Sequence, residues 1–154
     1  MTDHFKHAFS TDSVKKIENE LISNGTESFL LMMRAAYAAC QYLLSVSADD
    51  IIIFCGKGNN GGDGYGLAAL LHLSNRKIRV IQIDAPKTPE ANQALTLCQN
   101  LGIKVGGYFE FEQVGTWYVD ALLGSGLLEA PRAKYEDVIK FLLSERNKGK
   151  SVLS

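Results

Sequence analysis

The 154-residue chain has little cysteine, no excess of one charge and no long apolar run. Cys40, Cys55 and Cys98 lie far apart without a Cys-x-x-Cys spacing. That argues against a zinc cluster and a disulfide framework, and leaves them as small core residues in a reducing compartment. Sixteen basic side chains stand against seventeen acidic ones, so no field of one sign recruits nucleic acid or an anionic membrane. Any phosphate recognition has to come from local geometry. No apolar stretch approaches the roughly 20 residues of a bilayer span. Met1 to Ser10 is polar and lacks the pattern of a secretory signal, so a cytoplasmic chain is expected. Repeats, low-complexity stretches and linkers are also missing, and the length suits a single domain. His4, His7 and His72 are scattered and read as surface or packing residues, as does Trp117.

What is present is an alternation of helical and strand patterns. Val14, Ile17 and Leu21 recur at helical spacing after Ser10-Thr11-Asp12, and Gly25 suits the helix end. A second helix is predicted from Thr26 to about Val46, with Phe29, Met33, Ala36, Tyr37, Cys40 and Leu44 as its apolar stripe. Ile51-Ile52-Ile53-Phe54-Cys55 is an unbroken run that fits a strand covered on both faces. A glycine-rich loop follows, then a helix carrying Leu67, Leu70 and Leu71, and a strand from Ile78 to Ile83. Thr88 and Pro89 open another helix that Gly102 stops, and Ile103 to Val105 makes a short strand. Trp117 to Leu123 reads as a strand ending in Gly124-Ser125-Gly126, Tyr135 to Arg146 as a helix, and Lys150 to Ser154 as the start of a further strand. The expected fold is α/β, a Rossmann-like three-layer αβα sandwich with a mostly parallel sheet preceded by two N-terminal helices.

Ligands of open α/β sheets bind beyond the carboxyl ends of the strands, and both glycine-rich turns sit at such ends. In Gly56-Lys57-Gly58-Asn59-Asn60-Gly61-Gly62-Asp63-Gly64, glycines permit close backbone approach, and the amides opening the next helix offer donors to an anion. Asn59 and Asn60 add amide groups and Asp63 a carboxylate. The segment also satisfies Gly-x-Gly-x-x-Gly, with Asp84 where a ribose-binding acid would lie, so a dehydrogenase stays open on the residues alone. The remaining sequence offers it no substrate domain. Lys57 does not fit a nucleoside-triphosphatase loop, which ends in Gly-Lys-Ser/Thr.

Gly58-Asn59-Asn60-Gly61-Gly62-Asp63-Gly64, Val119-Asp120-Ala121-Leu122-Leu123-Gly124-Ser125-Gly126-Leu127 and the helix segment Leu31-Met32-Met33-Arg34-Ala35 together resemble the NAD(P)H-hydrate epimerase family, the YjeF N-terminal domain family. The resemblance covers nearly the whole chain. It implies an isomerase that interconverts the R and S forms of hydrated NADH and NADPH, which carry a hydroxyl on the reduced nicotinamide ring. It implies substrate contacts from Asn59, Asn60, Gly61, Gly62 and Asp63, and from Gly124, Ser125, Gly126, Leu127, Leu128, Glu129 and Ala130. A potassium ion is implied on Asn60 and Asp120, whose oxygens suit a hard cation. Asp63 and Asp120 are the acids of the two motifs and the candidates for proton transfer. The expected partners are the hydrated nucleotides, a second copy of the chain in a homodimer, and an NAD(P)H-hydrate dehydratase, with neither nucleic acid nor membrane. Two departures stand out. Met33 replaces the family's usual Glu, so a polar contact of the helix pair is expected to be lost. Residues 1–154 are read as one domain lacking the family's last strand and its Asp-Ile-Pro-Ser-Gly motif, with impaired activity or a catalytically inactive binding module as the consequence.

Overall fold

The computed structural model describes residues 10–108, 115–124 and 133–154. Ten elements follow in order: α1 (Thr11–Ser23), α2 (Ser28–Ser45), β1 (Ile51–Cys55), α3 (Asn59–Leu73), β2 (Ile78–Gln82), α4 (Pro89–Asn100), β3 (Val105–Gly106), β4 (Trp117–Ala121), α5 (Ala133–Asn147) and β5 (Ser151–Leu153). The five strands form one sheet in the order β3-β2-β1-β4-β5, and every pairing is parallel. The expected α/β sandwich is what forms. No helix among the described residues is long and apolar enough to cross a membrane.

β1 lies between β2 and β4, with Ile51 opposite Ile78 and Trp117. Its side chains alternate between two cores. Ile51, Ile53 and Cys55 join Ala36, Cys40, Leu71 and Ala94 of α2, α3 and α4, whereas Ile52 and Phe54 join Val138 and Leu142 of α5. Both faces are therefore dry, and all five residues of the strand are buried. An alternating polar pattern would strand polar groups in one core or the other. Each large side chain of the strand contributes about 1.5–3 kcal/mol by leaving water.

The helix boundaries follow their caps. Ser10 accepts from the Ser13 amide and Thr88 from the Ala91 amide, with Pro89 in the first turn of α4. Gly25 and Gly102 have φ of +94° and +72°, where a side chain would be strained. Cys40, Cys55 and Cys98 are free and buried as expected, His72 is exposed, and Trp117 packs edge-on to Tyr42 at 6.3 Å. His4 and His7 lie outside the described residues.

Three expectations need correction. The buried stripe of α2 is Met32, Ala36, Cys40 and Leu43, while Tyr37 is 56% exposed. The stripe is turned because α2 packs on glycines of α3. A Cβ at Gly62 would stand 2.4 Å from the Met32 methyl, and one at Gly66 would stand 3.0 Å from the Met33 sulfur. Met33 thus fills a groove. Second, the segment Asn59 to Gly64 is helix rather than loop, since α3 begins at Asn59 with Gly58 as its N-cap. Glycine disfavours helix by about 1 kcal/mol each, but here the packing of the tract decides. A Cβ at Gly61 would lie 2.0 Å from the Gly56 carbonyl oxygen, and one at Gly64 would lie 2.7 Å from Ala121 Cβ. Third, β4 ends at Ala121, two residues early, because Asp120 and Leu122 form a local turn. The final segment pairs with β4 as β5, Trp117 opposite Ser151.

The glycines of the tract are not equivalent. Gly61→Ala pits a side chain against backbone and should cost about 3 kcal/mol. Gly58→Ala, with nothing within 4 Å of its Cβ, should cost less than about 1 kcal/mol. Urea denaturation of the two variants measures the contrast, and equal losses would contradict the packing described.

Candidate active site

The strand order reverses at β1, because β2 and β3 continue to one side and β4 and β5 lie on the other. Ligand crevices of doubly wound sheets open at such a switch point, outside the carboxyl ends of the diverging strands. Here the two chains part at Gly56 and Leu122. The Gly56 amide donates to Ala121 O at 2.9 Å, and a Cβ on Gly56 would stand 1.8 Å from Leu122 O. Beyond that contact a cavity of about 720 Å³ opens, lined by Lys57, Gly58, Asn59, Asn60 and Asp63 on one side and by Leu122, Leu123 and Gly124 on the other. The two motifs therefore meet in one crevice. Asn60 Nδ2 donates to Leu123 O at 3.2 Å and ties them together. The amide oxygen of Asn60 has no hydrogen-bond partner among the described residues.

The predicted residues divide by position. Asn59, Asn60, Asp63 and Gly124 line the cavity. Gly61 and Gly62 are buried and serve packing. Asp120 does not line the cavity; it lies opposite Phe54, and its Oδ1 accepts from the Leu122 amide at 3.1 Å. Its carboxylate holds the turn that carries Leu122 and Leu123. Ser125, Gly126, Leu127, Leu128, Glu129 and Ala130 lie outside the described residues. Asp84 is not in the lining either and pairs with Lys134 at 3.6 Å.

Two contributions escaped the sequence reading. The third wall is α1 with α2, through Val14, Lys15, Glu18, Ile22, Ser28, Leu31 and others, although every described side chain of α1 from Asp12 to Ser23 is exposed. The apolar and charged alternation of α1 was visible, but not what it faces. The other is Tyr135, whose hydroxyl accepts from the Lys57 amide at 3.2 Å and hydrogen-bonds the Asp84 carboxylate. Burial, and then the Asp84 charge, pushes its phenol up to about 12. An aromatic residue in the first turn of a helix carries no sign of such a role.

The electrostatics single out Asp63. Burial, and secondarily the Glu18 carboxylate, raises its pKa from an ordinary 3.8 to about 7. Asp120 is also raised by burial, against the opposing effect of its bond from Leu122. A carboxyl that is half protonated near neutrality can both give and take a proton, which is the property required of an acid-base catalyst.

A family model described as YjeF-related protein N-terminus matches residues 28–154. The chain belongs to this family. The NAD(P)H-hydrate epimerase of Limosilactobacillus reuteri is 31% identical over 126 residues, 75% of this chain and 57% of that protein. The bifunctional NAD(P)H-hydrate repair enzyme Nnr of Coxiella burnetii is 33% identical over 138 residues, 85% of this chain and 28% of that protein. The chain thus spans little more than half of the first relative and under a third of the second. The crystal structure of yeast ynu0, YNL200c, matches with a TM-score of 0.81 over 92% of this chain and 66% of that one, at 20% identity, which shows a shared fold.

The raised carboxyl has a thermodynamic signature. The folded chain holds the Asp63 proton up to about pH 7, whereas the unfolded chain releases it near 3.8. Asp63 therefore costs stability increasingly as pH rises between those values, and nothing below them. Asp63→Asn should be about 2 kcal/mol more stable than the native chain at pH 8, after discounting for partial exposure, and equal to it at pH 3.5. Denaturation across that range tests it, and a pH-independent difference would contradict the burial of Asp63.

Proposed function

We propose that this chain is the catalytic domain of an NAD(P)H-hydrate epimerase, interconverting the R and S hydrates of NADH and NADPH. The observation that carries the reading is the meeting of both motifs around one cavity that contains a carboxyl poised near neutrality. Family membership and the names of the relatives support it.

The carbon to be inverted bears a hydroxyl and a ring nitrogen. Protonated Asp63 donates to the hydroxyl, the C–O bond breaks, water leaves, and the nitrogen lone pair forms a C=N⁺ bond in the ring. Water then adds to the opposite face while the Asp63 carboxylate takes its proton. Atoms and charge balance without a redox partner, and the same group acts in both directions. The cavity walls of Leu31, Met32 and Leu122 limit competing water. Asn60, fixed through Leu123 O, orients the bound ring.

Potassium is the cofactor we propose, on Asn60 and Asp120. Asn60 has committed its nitrogen to Leu123 and Asp120 one oxygen to Leu122, so each retains an oxygen donor, the class that fits a hard monovalent cation. When bound, the ion would offset the Asp120 charge and stiffen the turn at 120–123. A cytoplasmic setting and a companion dehydratase belong to the same proposal; the bifunctional name of the Coxiella relative supports the latter. So does a homodimer, for which Ile17, Leu30 and Tyr37 offer exposed apolar surface.

Incubation with one pure epimer of hydrated NADH, followed by chromatography, should show the other appearing. Asp63→Asn should slow this by about 100-fold or more, and kcat/KM should fall as pH rises through about 7. A native rate in the Asn variant would remove Asp63 from the chemistry. Replacing potassium by sodium should lower the rate, and Asp120→Asn should abolish that difference. Full activity in sodium-only buffer would exclude the ion.

A further inference from the structure

Lys57 belongs to the glycine tract, but neither packing nor the proposed proton transfer uses its side chain. Its backbone is held at both ends. The amide donates to Tyr135 Oη at 3.2 Å, and the carbonyl accepts from the Lys87 amide at 2.8 Å. Its side chain is exposed, lines the cavity, and forms no ion pair with any described residue. This contrasts with Lys77, Lys134, Lys140 and Lys148, each of which has a carboxylate partner.

The surroundings match an anion. Gly58, next in the chain, leaves open space where a side chain would stand. The first intrahelical bond of α3 runs from the Gly62 amide to Gly58 O, so the amides of Asn59, Asn60 and Gly61 have no acceptor within the helix. Across the cavity Lys15 of α1 is a second cation without an ion-pair partner among the described residues. The cavity's carboxyls, Asp63 and Glu18, are the groups that oppose these charges. Burial keeps Asp63 largely neutral below about pH 7. A flexible ammonium on a clamped backbone can follow a phosphate without disturbing the loop.

We propose that Lys57 is a specificity-determining residue that recognises the diphosphate linkage of the dinucleotide, so that the chain selects its substrate by charge as well as by the nicotinamide ring. The assignment rests on the epimerase reading only for the identity of the ring; the charge recognition is separately measurable. Because the side chain is exposed and its backbone bonds need no particular residue, Lys57→Ala should fold like the native chain.

The test is calorimetric binding of three probes to the native chain, Lys57→Ala and Lys57→Arg, with melting curves alongside. The probes are hydrated NADH, hydrated NADPH and the hydrate of reduced nicotinamide riboside, which has no phosphate. Lys57→Ala should bind both dinucleotides about tenfold more weakly and the riboside unchanged, and Lys57→Arg should restore most of the loss. The native chain should also lose affinity more steeply with salt than the Ala variant. Equal binding of the dinucleotides by native and Ala chains, or an equal loss for the riboside, would overturn the assignment. Dinucleotide binding that depends on Lys57 without any epimerisation would sustain it while removing the epimerase reading.

Discussion

The fold turns on one contact between two backbones. At Gly56 the chain leaving β1 touches the Leu122 carbonyl leaving β4, and the Gly56 carbonyl in turn touches Gly61 at the start of α3. No side chain fits at either glycine. Because these contacts are so close, α3 begins directly above the end of β1, and its first turn faces the gap between β1 and β4. Widening either contact would move the amides of α3, the side chains of Asn59, Asn60 and Asp63, and the bond from Asn60 to Leu123 together. Packing density at this point and the shape of the cavity are the same property.

From this follows a division of labour among residues that look alike. Gly56, Gly61, Gly62 and Gly64 serve internal packing, whereas Gly58 and Gly124 line the cavity, Gly58 with open space at its Cβ position and Gly124 with only an ordinary contact to Asn60. The acids divide too. Asp63 lines the cavity and keeps its proton because it is buried; Asp120 stiffens a turn through the Leu122 amide. A carboxyl that keeps its proton toward neutrality and a carboxylate that orients a turn are thus separated by environment rather than by residue type.

The departure at Met33 fits the same picture. Here the chain sets a thioether into the groove over Gly66, so α2 and α3 are joined there by dispersion and apolar burial. α1, outside that packing, lends Lys15 and Glu18 to the cavity while its own side chains remain in water. The site thus has a densely packed floor and one solvated wall.

Periodicity and composition alone determined much of this protein. An apolar run in β1 that cannot alternate implies cover on both faces, helix starts follow from Ser10, Thr88 and Pro89, and strands alternating with helices imply a parallel sheet. The site region was legible for the same local reason, since glycine and asparagine after a buried strand have few other uses. What only the tertiary structure decided is what depends on partners distant in the chain. It showed that the glycine tract is helix because β1 and β4 hold it, that the α2 stripe is turned toward the glycines of α3, and that Tyr135 clamps Lys57 from 78 residues away. It also showed that Asp63 and Asp120 occupy different surroundings. A sequence lists side chains without their dielectric or their neighbours, and a proton affinity or a close backbone contact is set by those alone.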